Sequence, residues 1–148
     1  MSTPDTAALS SDLTVYAARL VRLVRRSHAP SAGVRVLSIL DELGPQSVTA
    51  LAQADRCSQP TMTGQVGQLT DQGWVAKTPN PADARSSLVT LTDAGRAELR
   101  RVRALSASLV AERLARHPDL SPDDLATAVA VLQAVVDPSS GTSTEGSM

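Results

Sequence analysis

Apolar residues near the start of the chain recur at the spacing of an amphipathic helix. Steps of three and four residues join Leu9, Leu13, Tyr16, Leu20 and Leu23. Because residues three and four apart lie on the same side of a helix, the pattern predicts a first helix over about residues 6–27.

A second helix is predicted by the same kind of spacing. Its apolar positions are Val34, Leu37, Leu40 and Leu43. We expect this helix to end at Gly44 and Pro45, because glycine accepts a left-handed cap and proline stops helix propagation.

The next segment predicts two short helices joined by a tight turn. Ser47 and Ser58 are suited to cap these helices, and Pro60 lies in the first turn of the second one. The tripeptide Asp-Arg-Cys at 55–57 interrupts the helical pattern between them. The second short helix should direct three residues inward: Met62, Val66 and Leu69. The order favours a helix-turn-helix, although many all-α folds contain short helix pairs.

A two-stranded hairpin is predicted after the helix pair. Gly73 should end the second short helix, residues 74–78 read as a strand, and residues 79–86 read as a loop. Residues 87–91 alternate apolar and polar positions and form the returning strand. The hairpin indicates a wing next to the helix-turn-helix.

Two further helices are predicted beyond the hairpin. Thr92 should cap a helix over about residues 93–116, and Ser121 should cap a final helix with Pro122 in its first turn. The first of these carries the apolar residues Leu99, Val102, Leu105, Leu109 and Leu114. The second carries Leu125, Val129, Leu132 and Val136. Residues 137–148 show no periodicity and are expected to be disordered.

Composition narrows the class of protein. With 42% apolar and 20% charged residues and no long apolar run, the chain fits a soluble, single-domain protein, and its N-terminus lacks the blocks of a signal peptide, so we expect it to be cytoplasmic. One cysteine and two distant histidines provide neither a disulfide framework nor metal-ligand spacing, so no cofactor is expected. Aromatic residues make up 1%, which excludes a base-stacking platform and restricts nucleic-acid binding to duplexes.

The chemistry-bearing residues do not form a recognisable catalytic group. No spacing of His, Ser, Cys and carboxylates suggests an active site, so we do not expect an enzyme, although catalytic residues can assemble from distant positions. The outer side of the second short helix instead carries Thr61, Gly64, Gly67 and Gln68, with Thr63 at its flank. These residues suit close approach to DNA, with glutamine able to read adenine and threonine able to contact phosphate or a thymine methyl. The alternative is a marginally stable helix without this role.

Two stretches resemble the MarR family of transcriptional regulators. They are SVTALAQADRCSQPTMTGQVGQLTDQGWV at 47–75 and NPADARSSLVTLTDAGRAEL at 80–99. The second is similar to the wing pattern of the family, in which Asp, any residue and Arg precede a strand ending in Leu-Thr, with a Gly three residues later. The matching positions are Asp83, Arg85, Leu91, Thr92 and Gly95.

The resemblance implies a winged-helix homodimer that binds a pseudo-palindromic duplex operator. Such proteins usually repress a nearby promoter, and many release DNA when a small organic molecule or an oxidant acts on them. The resemblance also implies that Arg85 reaches the minor groove while Asp83 holds the wing or the arginine in place; the alternative is an exposed turn pair. The expected DNA-binding residues are Ser58, Gln59, Thr61, Thr63, Gln68, Asp83 and Arg85.

The resemblance further implies an effector pocket between the helical bundle and the winged region. Tyr16 and Trp74 are the candidate stacking residues for a small aromatic or lipophilic effector. We therefore divide the chain by expected role. The ranges are 1–30 for an N-terminal dimerisation helix, 31–92 for the winged DNA-binding region, 93–136 for C-terminal dimerisation helices and 137–148 for the tail. The apolar surface of the terminal helices is larger than a small winged region can cover. A helical bundle shared by two copies would bury this surface. The alternative is a monomer in which the terminal helices fold back on the winged region.

The charge of the winged region departs from the pattern of the family. Ala84, Gly64 and Gln68 occupy positions where the family often has basic residues. Between residues 31 and 92 the cations are Arg35, Arg56, Lys77 and Arg85, and the anions are Asp41, Glu42, Asp55, Asp71 and Asp83. Because phosphate neutralisation supplies much of DNA affinity, this balance leaves open a protein-interaction module with weak or lost DNA binding. Arginines at 19–26 and 96–103 could compensate if they face the duplex.

Cys57 falls in the turn between the two short helices. A redox role would require a cation that stabilises the thiolate, and Arg56 is adjacent in sequence. We expect a packing cysteine, with the redox role as the alternative.

Overall fold

The computed structural model describes residues 4–27 and 33–137 and contains, within them, six helices and one two-stranded sheet. In chain order the elements are α1 (Thr6–Ser27), α2 (Gly33–Leu43), α3 (Val48–Asp55), α4 (Gln59–Asp71), β1 (Val75–Asn80), β2 (Asp83–Leu91), α5 (Asp93–Leu114) and α6 (Pro122–Val136). This is the expected winged-helix fold of helices with a small β wing. No helix in the described part of the chain is long and apolar enough to cross a membrane.

The helix boundaries follow the local capping chemistry. Ser47 accepts a hydrogen bond from the backbone N–H of Ala50, and Ser121 closes a reciprocal capping box at the start of α6. Gly44 and Gly73 have φ values of +75° and +77°, which glycine adopts without steric cost. The predicted ends of the first four helices are thereby confirmed to within two residues. The fifth helix ends at 114 rather than 116.

The core lies mostly in the winged region, and Leu99 of α5 completes it. Its buried apolar residues are Val36, Leu37, Leu40, Leu51, Ala52, Met62, Val66, Leu69, Val75, Val89 and Leu99. The prediction that three residues of α4 point inward is therefore confirmed. Leu43, at the end of α2, instead remains 54% exposed.

The junction between the sheet and α5 depends on one close approach. A Cβ atom built on Gly95 would clash with the carbonyl oxygen of Trp74. Thr92 fixes the same junction, since its hydroxyl donates to the carbonyl of Gly73 over 2.6 Å and accepts from the N–H of Gly95 over 3.1 Å. The Leu-Thr and Gly positions of the wing pattern thus hold α5 against the end of α4.

The predicted loop at 79–86 is wrong, because most of it lies in strands. The antiparallel register pairs Val75 with Leu91 and continues to Pro79 opposite Ser87, but Asn80 then pairs with Asp83. Residues 84–86 consequently bulge out of β2. Proline lacks a backbone donor, yet it is tolerated at the edge of a sheet, so Pro79 does not end β1.

The chain divides into two compact units, residues 1–108 and residues 109–148. The first contains the buried core described above. The second contains the end of α5 and all of α6, and the side chains of α6 include none that is buried. The expected disordered tail falls almost entirely outside the described residues.

Candidate nucleic-acid interface

Helix α4 has a buried inner side and an exposed outer side. Met62, Val66 and Leu69 are at most 2% exposed, which anchors the helix on the core. The residues expected to contact DNA, at the start of the helix and along its other side, are all exposed: Ser58, Gln59, Thr61, Thr63 and Gln68. A helix fixed in this way presents a rigid polar surface.

The first turn of α4 engages two of these candidates with each other. The hydroxyl of Ser58 accepts from the backbone N–H of Thr61 over 3.2 Å, and the two hydroxyl oxygens lie 2.7 Å apart. Ser58 is therefore a helix cap with part of its hydrogen-bonding capacity already used. The side chains of Gln59, Thr63 and Gln68 make no hydrogen bond to another described residue.

The glycines of α4 have no packing role within the chain. A Cβ atom on Gly64 or Gly67 would meet no atom of the described structure within 4 Å. Neither residue has a positive φ. Each glycine costs a helix about 1 kcal/mol relative to alanine, so the folded chain alone gives no reason for them.

At the wing, Asp83 shapes the backbone that carries Arg85. Its carboxylate accepts from the backbone N–H of Arg85 over 3.0 Å, while the Arg85 guanidinium has no carboxylate within 4.0 Å in the described residues. Both side chains are exposed. The family resemblance implies that Asp83 holds either the wing or the arginine in place. In the structure Asp83 bonds to the wing backbone and forms no ion pair with Arg85.

Sequence reasoning missed two further residues of the wing. Asn80 accepts from the backbone N–H of Ala82 over 3.0 Å and donates to the hydroxyl of Ser86 over 3.1 Å. These bonds close the turn at 81–82 and brace the bulge. Asparagine is a common turn residue because its side chain bonds to the backbone two residues on, and that signal could have identified Asn80.

Internal ion pairs change the charge balance of the winged region. Arg35 lies 2.9 Å from the carboxylate of Asp55, whose side chain is 7% exposed. Asp41 binds Arg103 of α5 at 3.0 Å and lies 3.9 Å from Arg96. The charges left without an internal ion pair between residues 33 and 92 are Arg56, Lys77 and Arg85 against Glu42, Asp71 and Asp83.

The arginines of α5 are largely occupied within the chain. Besides the two that bind Asp41, Arg101 lies 2.6 Å from the carboxylate of Glu98. That hydrogen bond lowers the pKa of Glu98 and raises the pKa of Arg101. Of the four arginines at 96–103 that could compensate for the weakly charged winged region, three are therefore already in ion pairs within the chain. Arg100 is the fourth.

The two candidate effector residues occupy different environments. Tyr16 is 62% exposed on α1, with the guanidinium of Arg19 over its ring at 5.3 Å from the centroid. Trp74 is half-buried and packs against the winged core. A cavity of about 500 Å³ lies elsewhere, between the end of α5 and the start of α6, and neither aromatic residue lines it.

Cys57 lies in the turn before α4, half-buried against the winged core. Its backbone N–H donates to the carbonyl of Ala52 over 3.0 Å. Arg56, the neighbouring cation, adopts a left-handed conformation that ends α3 and is exposed. This environment fits the expected packing role.

Comparison with known proteins agrees with this architecture. The MarR family model matches residues 30–87. An HTH-type transcriptional regulator of Mycobacterium tuberculosis is 34% identical over 137 residues, which cover 90% of this chain and 96% of that protein.

Two solved structures illustrate the shared fold. A MarR family protein from Bacillus stearothermophilus superposes with a TM-score of 0.66 at 19% identity, covering 95% of this chain and 99% of that one. BpsR of Bordetella bronchiseptica, whose DNA binding is regulated by 6-hydroxynicotinic acid, gives a TM-score of 0.53 at 22% identity, covering 93% and 96%. The chain belongs to the MarR family of winged-helix transcriptional regulators.

Proposed function

We propose that this protein is a homodimeric regulator that binds a pseudo-palindromic duplex operator and represses a nearby promoter. The observation that carries the proposal is the outer side of α4, which exposes Gln68 and Thr63 while its inner side is fixed in the core. In this proposal α4 enters the major groove and the wing enters the minor groove. Family membership supports DNA binding, and repression is the usual role in the family.

The chemistry of α4 fits direct reading of bases. The amide of Gln68 can donate to and accept from adenine in the major groove, and the methyl group of Thr63 or Thr61 can contact thymine. Gly64 and Gly67 add no bulk between the helix backbone and the DNA. The α4 surface therefore reads sequence by a few contacts at short range.

The wing fits the minor groove. The groove is about 6 Å wide, and its negative potential attracts arginine. The exposed guanidinium of Arg85 has no internal ion pair, and Asp83 and Asn80 hold the backbone of the bulge that presents it. In this proposal Asp83 positions the wing and Arg85 contacts the DNA.

Exposed apolar side chains support the dimer. Five large apolar residues on α1 are exposed: Leu9, Val15, Tyr16, Leu20 and Val21. Five on α6 are also exposed: Leu125, Val129, Val131, Val135 and Val136. Burial of such side chains stabilises proteins, and a two-fold dimer is the commonest way for identical chains to achieve it. We assign residues 1–30 and 93–136 to the dimer and residues 31–92 to DNA.

Regulation by a small organic effector is the remaining part of the proposal. BpsR supplies the precedent within the fold. Tyr16 and Trp74 are the aromatic side chains that could stack on such a molecule. A screen of aromatic acids tests this part: a bound effector raises the melting temperature and lowers DNA affinity, and a class of compounds that changes neither is not the effector class.

The test of the proposed function is binding to the duplex that flanks the protein's own gene, compared with a scrambled duplex of equal length. The proposal predicts tighter binding to the flanking duplex, and affinity that falls as salt rises. If both duplexes bind equally weakly at low salt, the chain acts through protein contacts. Removal of the protein from the cell should raise transcription from the flanking promoter, whereas a fall would identify an activator.

A further inference from the structure

Three arginines form a continuous charged surface on α1, which we name the arginine stripe: Arg19, Arg22 and Arg26. Their three- and four-residue spacing places them on one side of the helix. All three are exposed, and with Leu23 they line a cleft of about 320 Å³. The stripe thus combines several guanidinium groups around one opening.

These arginines have no carboxylate partner in the described residues. None of them, nor Arg25 beside them, has a carboxylate within 4.0 Å. In contrast, Arg101 of α5 pairs with Glu98, and Arg116, just after α5, lies 3.5 Å from the carboxylate of Glu112. Like charges three and four residues apart destabilise a helix, so α1 carries a repulsion that an external anion would relieve.

The helix dipole explains only part of this arrangement. Cations stabilise the last turn of a helix, and Arg25 and Arg26 lie in that turn of α1. Arg19 and Arg22 lie further from the helix end, where the effect has faded. Their position is therefore not accounted for by helix stabilisation.

The stripe and the apolar side of α1 occupy different faces. At 3.6 residues per turn, Arg19, Arg22 and Arg26 centre roughly 130° around the helix from the line of Leu9, Leu13 and Leu20. A second copy that covers the line of Leu9, Leu13 and Leu20 leaves Arg22 and Arg26 open, whereas Arg19 borders that side through its contact with the Tyr16 ring. Dimerisation and anion binding by the same helix are therefore compatible.

We propose that the arginine stripe binds the phosphate backbone of duplex DNA. This inference rests on the proposed function and adds a contact surface outside the winged region. The winged region has equal numbers of cations and anions outside its internal ion pairs, so its own charge provides little attraction for DNA. A duplex carries one negative charge per about 1.7 Å, and the stripe spans about 10 Å of helix, enough to face several phosphates.

The test measures affinity for a random-sequence duplex at several salt concentrations. The variant replaces Arg19, Arg22 and Arg26 with Gln, and a second variant replaces them with Lys. A matched control, the α5 control, replaces Arg101 and Arg113 of α5 and Arg116 just after it with Gln, which removes the same charge elsewhere. Circular dichroism and sedimentation establish that each variant is folded and dimeric.

We expect the Gln variant to bind the duplex more weakly and to have a shallower salt dependence. Each lost phosphate contact lowers the slope of log affinity against log salt by about 0.9, up to about 5 for six arginines in a dimer. The Lys variant and the α5 control should keep the wild-type slope. The loss should be equal on the flanking duplex, because phosphate contacts carry no sequence information.

Three results would overturn the proposal. A wild-type slope in the Gln variant means that the stripe is only solvated. An equal loss in the α5 control assigns the effect to net charge, and a monomeric Gln variant assigns the stripe to self-association. Failure of the proposed function is distinguishable, because the wild-type protein would then bind the flanking and the random duplex equally weakly, whereas the stripe is tested by the difference in salt slope between the wild type and the Gln variant.

Discussion

Gly95 and Gly64 differ in their surroundings: Gly95 packs closely against Trp74, whereas Gly64 faces open space. We therefore expect Gly95 to matter for folding and Gly64 for DNA binding. Gly95 → Ala places a Cβ atom against the Trp74 carbonyl and should destabilise the chain by at least about 2 kcal/mol, as overpacking does. Gly64 → Ala meets open space and should stabilise it by up to about 1 kcal/mol. Urea unfolding midpoints measure both. If Gly64 → Ala also leaves affinity for the flanking duplex unchanged, close approach of α4 to DNA is wrong.

Substitution of Cys57 distinguishes a packing role from a redox role. We expect Cys57 → Ala to cost no more than a small core truncation, about 1 kcal/mol, because the side chain is only half-buried. Peroxide should affect DNA binding by the wild-type protein and the variant equally. Release of DNA by peroxide in the wild type alone would assign Cys57 a redox role.

At the scale of elements, the start of α6 should be sensitive to acid. Hydrogen bonds from Ser121 lower the pKa of the Asp124 carboxyl below its ordinary value of 3.8. A lowered pKa means that the ionised group stabilises the folded state above the ordinary value, and that this contribution is lost as pH falls through the lowered one. Asp124 → Asn should therefore reduce the loss of thermal stability as the pH falls below about 4. An identical loss in both proteins would contradict this assignment.

The sequence was sufficient for the elements whose signals are local. Serine caps, left-handed glycines and the spacing of apolar residues act within a few positions, so the helices and the inner side of α4 could be predicted. The bulged wing could not be predicted in this way. Pro79 and Asn80 are residues typical of turns, yet antiparallel pairing places both of them in β1. The ion pair of Asp41 with Arg103 joins residues 62 positions apart, and no local pattern indicates such a contact.

The candidate site was predictable to a similar extent. Exposure of Gln68 and Thr63 follows from the helical period once the inner side of α4 is known. The role of Asp83 toward the backbone, and the braces from Asn80 and Ser86, depend on the shape of the bulge and required the structure.

At the scale of the whole molecule, binding of a two-fold operator first requires the proposed dimer. Leu132 → Asp places a charge in the apolar side of α6 and should abolish the dimer and lower stability, because an unpaired buried charge is costly; Leu109 → Asp should act alike. The matched control is Thr127 → Asp, an exposed polar position of the same helix that should leave the dimer intact. Sedimentation provides the measurement. A wild-type protein that is monomeric at micromolar concentration would rule out the dimer.

Substitutions in the wing and in α4 should weaken DNA binding by the proposed dimer in different ways. Arg85 → Ala should weaken binding to specific and scrambled duplex alike and reduce the salt slope by about 0.9 per wing, while base preference stays largely intact outside any A·T preference next to the wing. Gln68 → Ala should cost about 1 to 3 kcal/mol per half-site on the flanking duplex and hardly change binding to scrambled DNA or its salt slope. Both losses should occur at positions symmetric about the centre of the operator.

Whether the winged region reads DNA is tested by the affinities of the wild-type protein, Arg85 → Ala and Gln68 → Ala for the flanking and scrambled duplexes at several salt concentrations. We expect a general, salt-dependent loss of affinity for the wing variant and a sequence-specific loss for the α4 variant. If both variants bind the flanking duplex like the wild type, the winged region is not the surface that reads DNA, and a protein-interaction role replaces it.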